Sequence, residues 1–188
     1  MESLTPGDDV LLRRPSLSDA PGLLAVHGDP LAYLFDPQER HVDLGYTERW
    51  LQPILQHWTD HGFGYWTVLV PLDWWPAGPP GSGPADAGRV VAGMGGIRFH
   101  RCAGVQVLNV YYRLAPPVQG RRLAGRLVDA AVEWAAVNLT GTDLVVRTRP
   151  QNAVARHVAR RAGFVDEGID PEDAAMVQLR LRSPAASR

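Results

Sequence analysis

The sequence contains no lysine and only one cysteine. All 19 basic residues are arginine, and together with the abundant Ala, Gly and Pro we interpret this as the bias of a GC-rich genome. A lone cysteine, Cys102, forms neither an internal disulfide nor a cysteine-based metal site. Its neighbours Arg101, Ala103 and Gly104 are typical of a turn, and we interpret the thiol as inert rather than nucleophilic.

Long apolar runs are also absent, which argues against a transmembrane helix and a membrane partner. The opening residues, Met1 to Asp9, are polar and acidic, so we expect no secretory signal and a cytoplasmic protein. The net charge of -1 lacks the basic surplus of most nucleic-acid-binding proteins. A chain of 188 residues, 45% of them hydrophobic, fits a single globular domain over 1–188.

The sequence lacks the patterns of several enzyme classes. Neither Gly-x-Ser-x-Gly nor a phosphate-binding Gly-Lys-Ser occurs, which argues against a nucleophile-elbow hydrolase and a P-loop NTPase. His57 and His61 have the spacing of two metal ligands on a helix. No glutamate lies between them and no third ligand is suitably spaced, so we expect no metal site.

Hydrophobic periodicity predicts an α/β domain with one mixed sheet. Strands are predicted at 10–14, 65–72, 90–100, 105–114, 143–149, 164–167 and 176–181, and helices at 20–27, 46–61, after Gly125 to about 138, and 152–162. Thr47 is expected to cap the second helix. The buried stripe of the third helix is expected to comprise Leu123, Leu127, Ala130, Ala131, Trp134 and Val137. A mobile Pro/Gly-rich loop is predicted at 73–88, and Gly93, Gly95 and Gly96 indicate a bulge or a close backbone approach.

The segment with the clearest chemical implication is the strand 105–114, its Pro-Pro break and the turn 119–124, which opens a helix. Such a junction presents free backbone N–H groups at the positive end of a helix dipole, which suits a pyrophosphate. Arg121, Arg122 and Arg126 could add charge-assisted contacts to phosphates. An ordinary junction with solvated arginines is an equally good interpretation of this segment alone.

Three motifs together favour the anion site. Gln119-Gly-Arg-Arg-Leu-Ala124 resembles the Gln/Arg-x-x-Gly-x-Gly/Ala motif of the GCN5-related N-acetyltransferases (GNAT). The segment from Asn152 to Gly163-Phe164 is similar to that family's Asn-helix-Gly-Phe segment. Tyr111-Tyr-Arg-Leu114 is similar to the Tyr-Trp-Leu run of the ribosomal-protein N-acetyltransferase branch. The resemblance extends over roughly 10–181.

The resemblance implies a GNAT-like domain with a splay between its two central parallel strands and helices on both faces. It also implies binding of acetyl-CoA as co-substrate, with no metal, and direct attack by a primary amine on the thioester. The cofactor-binding residues that it implies are Tyr112, Arg113, Leu114, Gln119, Gly120, Arg121, Arg122, Leu123, Ala124, Gly125 and Asn152. A backbone N–H near Leu114 would stabilise the developing oxyanion.

The chain departs from the family at several positions. Arg122 occupies the place of a glycine in the turn, and its N–H remains usable if its φ stays negative. Ala155 and Ala159 replace a usual serine and a usual tyrosine acid, and Leu108 stands where some members have a glutamate base. The catalytic residues are therefore unknown. Tyr112 is a weak candidate for the acid, and packing at the splay is the favoured role for its side chain.

Several alternatives stay open. Trp74 and Trp75 could line an amine pocket or a dimer contact, although packing under the loop is favoured. Asp36, Glu39 and Asp43 could hold a cationic amine or be solvated. The acceptor could be a protein N-terminus or a small amine, and a homodimer is possible. A catalytically inactive acyl-CoA sensor and a transferase for longer acyl groups are the alternative functions.

Overall fold

The computed structural model describes residues 3–5, 9–75 and 88–183. Within them the strands are β1 (Ser3–Leu4), β2 (Leu11–Arg13), β3 (Tyr65–Pro71), β4 (Arg89–Cys102), β5 (Val105–Leu114), β6 (Leu144–Thr148), β7 (Val165–Ile169) and β8 (Val177–Leu181). The α-helices are α1 (Ala20–His27), α2 (Leu44–His61), α3 (Leu123–Asn138) and α4 (Ala153–Arg161). The strands form one sheet in the order β1-β2-β3-β4-β5-β6-β8-β7. The predicted α/β fold with a mixed sheet is confirmed.

The central parallel strands diverge as the sequence predicts. β5 and β6 pair in parallel at Leu108–Val110 with Leu144–Val146, and this ladder ends there. β5 continues to Leu114 and β6 to Thr148, so both strands extend beyond their shared hydrogen bonds. The neighbouring pairs β1–β2, β2–β3, β6–β8 and β7–β8 are antiparallel. The sheet is therefore mixed, with a splay between β5 and β6.

Most predicted elements lie within a few residues of their expected bounds, and α1 and β5 match theirs. The two-residue strand β1 is not evident in the sequence. The predicted loop at 73–88 lies largely outside the described residues. Its described beginning forms part of a 3-10 turn, Leu72–Trp74. Among the residues that the structure describes, no helix is both long and apolar enough to cross a membrane.

The described residues form two compact units. The first comprises Met1–Gly95 and Tyr112–Leu123, and the second comprises Gly96–Tyr111 and Ala124–Arg188. In the first unit β2 pairs with β3, and α1 packs on α2. In the second unit α4 packs on β6 and β8.

Helix α2 begins at a different cap from the one that the sequence predicts. The Asp43 side chain accepts the Tyr46 N–H at 2.7 Å, and this satisfies one of the unpaired donors of the first turn. Thr47 is wrong as the cap, because it lies inside the helix, buried, with its hydroxyl on the Asp43 carbonyl at 3.2 Å. The helix ends at Gly62, whose φ of 73° suits a glycine.

Helix α3 buries part of the predicted stripe. Leu123, Leu127 and Ala131 are buried as predicted, together with Val128 and Ala135, whereas Ala130 and Trp134 are only partly buried. Val137 is wrong as a core residue because its side chain is 80% exposed.

The β4–β5 hairpin turns at Ala103 and Gly104. Their φ angles of 49° and 80° are both positive, as a tight two-residue turn between twisted strands requires. The Ala103 N–H is held by the Glu172 carboxylate at 2.8 Å. Cys102, one residue earlier, is buried and donates to Gln178 Oε1 at 3.0 Å, which agrees with its interpretation as an inert thiol.

Candidate functional site: the end of β5 and the following turn

The end of β5 is fixed by a close backbone approach from β4. Gly93 has a φ of 151°, and a Cβ added to it would overlap the Arg113 carbonyl oxygen and lie 3.0 Å from Leu114 Cα. The Ala115 N–H also donates to the Ala92 carbonyl at 2.8 Å. Only glycine fits at position 93, so the predicted close approach is confirmed and the backbone of Arg113 and Leu114 is held rigidly.

The turn after β5 has two residues in the left-handed conformation. After a 3-10 turn at Pro116–Val118, Gly120 has a φ of 80° and Arg122 a φ of 57°. Val118 and Leu123 are buried on either side and anchor the turn, while Gly120, Arg121 and Arg122 are exposed. Since the first N–H groups of a helix have no intrahelical partners, the start of α3 presents donors next to this exposed turn.

The N–H of Arg122 was expected to remain usable only if its φ is negative, and in the structure this residue does not meet the condition. Its φ is positive rather than negative, and this conformation costs an L-residue about 1–2 kcal/mol. The arginine therefore adopts the backbone conformation that suits a glycine, and the shape of the turn is retained at the expense of local strain.

The turn also contacts an aromatic side chain. The Arg121 guanidinium carbon lies 4.6 Å from the centroid of the Trp74 ring, within cation–π distance. Trp75 is buried, as expected for packing under the loop, whereas Trp74 is partly exposed. The two adjacent tryptophans thus have different environments, and Trp74 is linked to the turn rather than to the core.

Tyr112 carries a buried hydroxyl that has no hydrogen-bond partner among the described residues. Burial raises the pKa of Tyr112 to about 12, and the Arg113 charge opposes this only in part. A thiol has a pKa of about 8.5, so proton transfer from this phenol to a thiolate would be uphill. Tyr112 is therefore better suited to donate a hydrogen bond than to act as a general acid.

The side chain of Arg113 points into the first unit. Its Nη1 donates to the Ala32 carbonyl at 2.6 Å, and its guanidinium lies 4.0 Å from the centroid of the Tyr33 ring. The sequence places Arg113 among the cofactor-binding residues. In the structure its side chain has structural partners in the first unit.

Asn152 is the N-cap of α4 in the second unit. Its Oδ1 accepts the Ala155 N–H at 3.1 Å, which leaves the side-chain amide nitrogen as the donor for a ligand. Ala155 and Ala159 are buried on the same helix, and Leu108 is fully buried in β5. These three positions, for which the resemblance implied a serine, a tyrosine and a glutamate, are buried core positions in this chain.

A buried histidine cluster was missed by the sequence analysis. His27 at the end of α1 is fully buried, its Nδ1 lies 2.8 Å from the Tyr33 hydroxyl, and its ring stacks on His41 at 4.5 Å. Nδ1 of His41 lies 2.9 Å from the Thr47 hydroxyl. One signal in the sequence could have revealed it: Leu23, Val26 and His27 have helical spacing, and all three lie on the buried face of α1.

Both histidines are held neutral. Burial first, then His41 and the Arg113 charge, lower the pKa of His27 well below its usual value. Burial, reinforced by Arg113, lowers the pKa of His41 to about 4. The cluster is thus uncharged, and through Tyr33 it contacts the segment that Arg113 also contacts.

The other candidate polar residues differ in their surroundings. Asp43 caps α2, Asp36 is buried and Glu39 is exposed. Nδ1 of His57 lies 2.8 Å from the Phe63 carbonyl oxygen, and the His57 and His61 rings lie 4.5 Å apart. Among the described residues no group of three or more His, Cys, Asp or Glu side chains could hold a metal ion.

Comparison with known proteins assigns the chain to a family. Residues 9–165 match the family model described as "Acetyltransferase (GNAT) domain". No curated protein matches the sequence significantly. The fold is shared with several solved structures, each under 25% identical.

An acetyltransferase from Agrobacterium tumefaciens str. C58 is 21% identical with a TM-score of 0.72, covering 97% of this chain and 95% of that one. RimL, a ribosomal L7/L12 alpha-N-protein acetyltransferase in complex with coenzyme A, is 17% identical with a TM-score of 0.70, covering 98% of this chain and 100% of that one. Ribosomal-protein-S5-alanine acetyltransferase from Vibrio fischeri is 17% identical with a TM-score of 0.66, covering all of both chains. Because the family model matches most of the sequence, this chain belongs to the GNAT acetyltransferase family.

Proposed function

We propose that this protein is an N-acetyltransferase that uses acetyl-CoA and forms a single acyltransferase domain over 1–188. The observation that carries the proposal is the turn at Gln119–Leu123, which keeps two left-handed residues and opens directly into α3. The first N–H groups of a helix form a ready anion-binding site that suits a pyrophosphate, and this exposed turn lies directly before them. Arg122, whose φ is positive, does not meet the condition for its own N–H, so the N–H groups of Gly120, Ala124 and Gly125 would carry the contact.

Binding of the thioester arm would fall to the end of β5. The parallel ladder stops at Val110 and the strand continues to Leu114, where the backbone groups of Tyr112 and Leu114 would pair with an extended pantetheine. A backbone N–H near Leu114 would then stabilise the oxyanion that develops on the thioester carbonyl. The family resemblance also assigns Asn152 to cofactor binding, through its side-chain amide nitrogen.

The residues of this chain account for the positioning of the reactants better than for proton transfer. Ala155 and Ala159 carry no hydroxyl, and the raised pKa of Tyr112 makes its phenol a poor proton donor. A CoA thiolate is a stable leaving group that water can protonate, and a water chain can take the proton from the attacking amine. Rate enhancement would then come from orientation and oxyanion stabilisation.

The acceptor is proposed as a primary amine, either a protein N-terminus or a small molecule. The solved structures that share the fold include enzymes described as acting on ribosomal proteins, which favours a protein N-terminus. A shared fold does not choose the substrate by itself. Acetyl is the proposed acyl group, and a longer acyl chain is the alternative.

A second candidate function is an acyl-CoA sensor without catalysis. The observation that favours it is that the usual acid and base positions, Ala159 and Leu108, are buried core residues. Binding and catalysis differ in one measurable product, because only an enzyme releases free CoA in the presence of an amine.

The test is a calorimetric titration of the purified protein with acetyl-CoA, followed by an assay of CoA release with candidate amines. Asn152→Ser keeps a capping oxygen for α4 but removes the amide donor, so it should weaken binding without lowering the melting temperature by more than a few degrees. Asn138→Ala, on the exposed end of α3, is the matched control and should bind normally. Absence of binding by the wild-type protein would refute the proposed function, and binding without CoA release for any amine would favour the sensor.

A further inference from the structure

Trp74 lies beside the turn without belonging to it. The ring is 4.6 Å from the Arg121 guanidinium carbon, and both residues belong to the first unit. Arg121 is exposed and Trp74 is partly exposed, so the pair lies at the surface where an anion can reach the guanidinium. A guanidinium over an aromatic face can still direct N–H donors at its edge toward a ligand.

The chain fixes Trp74 in this place. Trp74 is the last residue of a 3-10 turn, Leu72–Trp74. The Trp75 N–H closes this turn by donating to the Leu72 carbonyl at 3.0 Å. The start of the turn is tied by the Leu72 N–H donating to the Gly88 carbonyl at 3.1 Å. Trp75, the next residue, is buried and anchors the segment. The tryptophan is thus a rigid support, whereas the arginine alone would be a flexible side chain.

An arginine that binds a phosphate loses side-chain entropy, and restraint before binding reduces that loss. We propose that Trp74 is a positioning residue that holds the Arg121 guanidinium ready for the phosphates of acetyl-CoA. This proposal rests on the proposed function, because the phosphates in question are those of the acyl-CoA. Trp74, which follows β3 and lies outside the turn motif Gln119–Ala124, would then contribute to cofactor binding.

The expected effect follows from the side-chain entropy that the contact removes before binding. A restraint that saves about 0.5–1 kcal/mol of this entropy corresponds to a change of about two- to fivefold in Kd. Trp74→Ala should therefore raise the Kd for acetyl-CoA by about two- to fivefold. Trp74→Phe keeps an aromatic face and should stay within about twofold of the wild type.

The experiment is a double-mutant cycle measured by calorimetry with acetyl-CoA. Four proteins complete the cycle: the wild type, Trp74→Ala, Arg121→Gln and the double variant. If Trp74 acts through Arg121, then Trp74→Ala should change the Kd little in the Arg121→Gln background. Leu72→Ala, an exposed position in the same 3-10 turn, is the matched control and should leave the Kd unchanged.

Each outcome distinguishes the two proposals. Equal weakening by Trp74→Ala in both backgrounds, or none in the wild-type background, overturns the positioning role while acetyl-CoA binding stands. Loss of affinity in Leu72→Ala as large as in Trp74→Ala also overturns it, because it would reflect general disruption of the segment. Failure of the wild-type protein to bind acetyl-CoA refutes the proposed function and this inference with it.

Discussion

The buried histidines should make the stability of this protein depend on pH well above the range in which carboxylates titrate. The pKa of His41 is lowered to about 4 in the folded protein, whereas an unfolded histidine has a pKa of about 6.5. A lowered folded pKa means that the unfolded state binds the proton first as the pH falls. The stabilisation is therefore complete above pH 6.5 and is lost as the pH falls toward 4.

The magnitude follows from linkage. A difference of about 2.5 pKa units corresponds to about 3.4 kcal/mol in full, of which about 2 kcal/mol is lost between pH 8 and pH 5. His27, whose pKa is also lowered, adds to the loss in the same direction. The charged group that faces both rings is the Arg113 guanidinium, and a protonated histidine beside it would be repelled.

Urea denaturation at pH 8, 6.5 and 5 measures this effect as the free energy of unfolding. His41→Asn removes one titrating ring, so the loss between pH 8 and pH 5 should shrink by about 2 kcal/mol, even though lost stacking lowers stability at every pH. His157→Asn, which removes an exposed histidine of α4, is the control and should keep the wild-type pH dependence. Parallel curves for the wild type and His41→Asn would refute the reasoning.

Three further predictions concern the backbone, each measured as the free energy of unfolding in urea. Gly93→Ala should destabilise the protein by about 3 kcal/mol or more, because it adds both a steric overlap and backbone strain. The control Gly104→Ala, also at positive φ but in open space, should cost only about 1–2 kcal/mol. Equal losses in the two variants would contradict the close backbone approach at Gly93. Arg122→Gly should leave stability unchanged or raise it by up to about 1 kcal/mol, since relief of strain offsets the greater entropy of unfolded glycine; a loss above that size would contradict the strained conformation. Asp43→Ala should cost about 0.5–2 kcal/mol through loss of the cap, whereas Asp43→Asn should restore most of it, and failure of that rescue would argue against a capping role.

The fold could be predicted from the sequence because its elements are strongly periodic and its turns use glycine where the backbone needs it. The helix α1 and the strand β5 match their predicted bounds, and Gly93 correctly marked a close approach. The cap of α2 was misplaced because Asp43 and Thr47 are both residue types that cap helices; in the structure Asp43 accepts the Tyr46 N–H, whereas Thr47 is buried beside His41. The prediction that Val137 is a core residue was wrong because it has the right spacing, but among the described residues its side chain is 80% exposed.

The sequence alone determined the family motif at Gln119–Ala124, the absence of hydroxyl groups at Ala155 and Ala159, and the order of the strands and helices apart from β1. These are local properties, because each motif or element is a pattern within a single short segment. The tertiary structure decided which side chains meet: Trp74 with Arg121, Arg113 with Tyr33, and His27 with His41. It also decided the sign of φ at Arg122. Contacts between distant residues, and the strain that packing imposes on a turn, depend on the whole chain and leave no local pattern to detect.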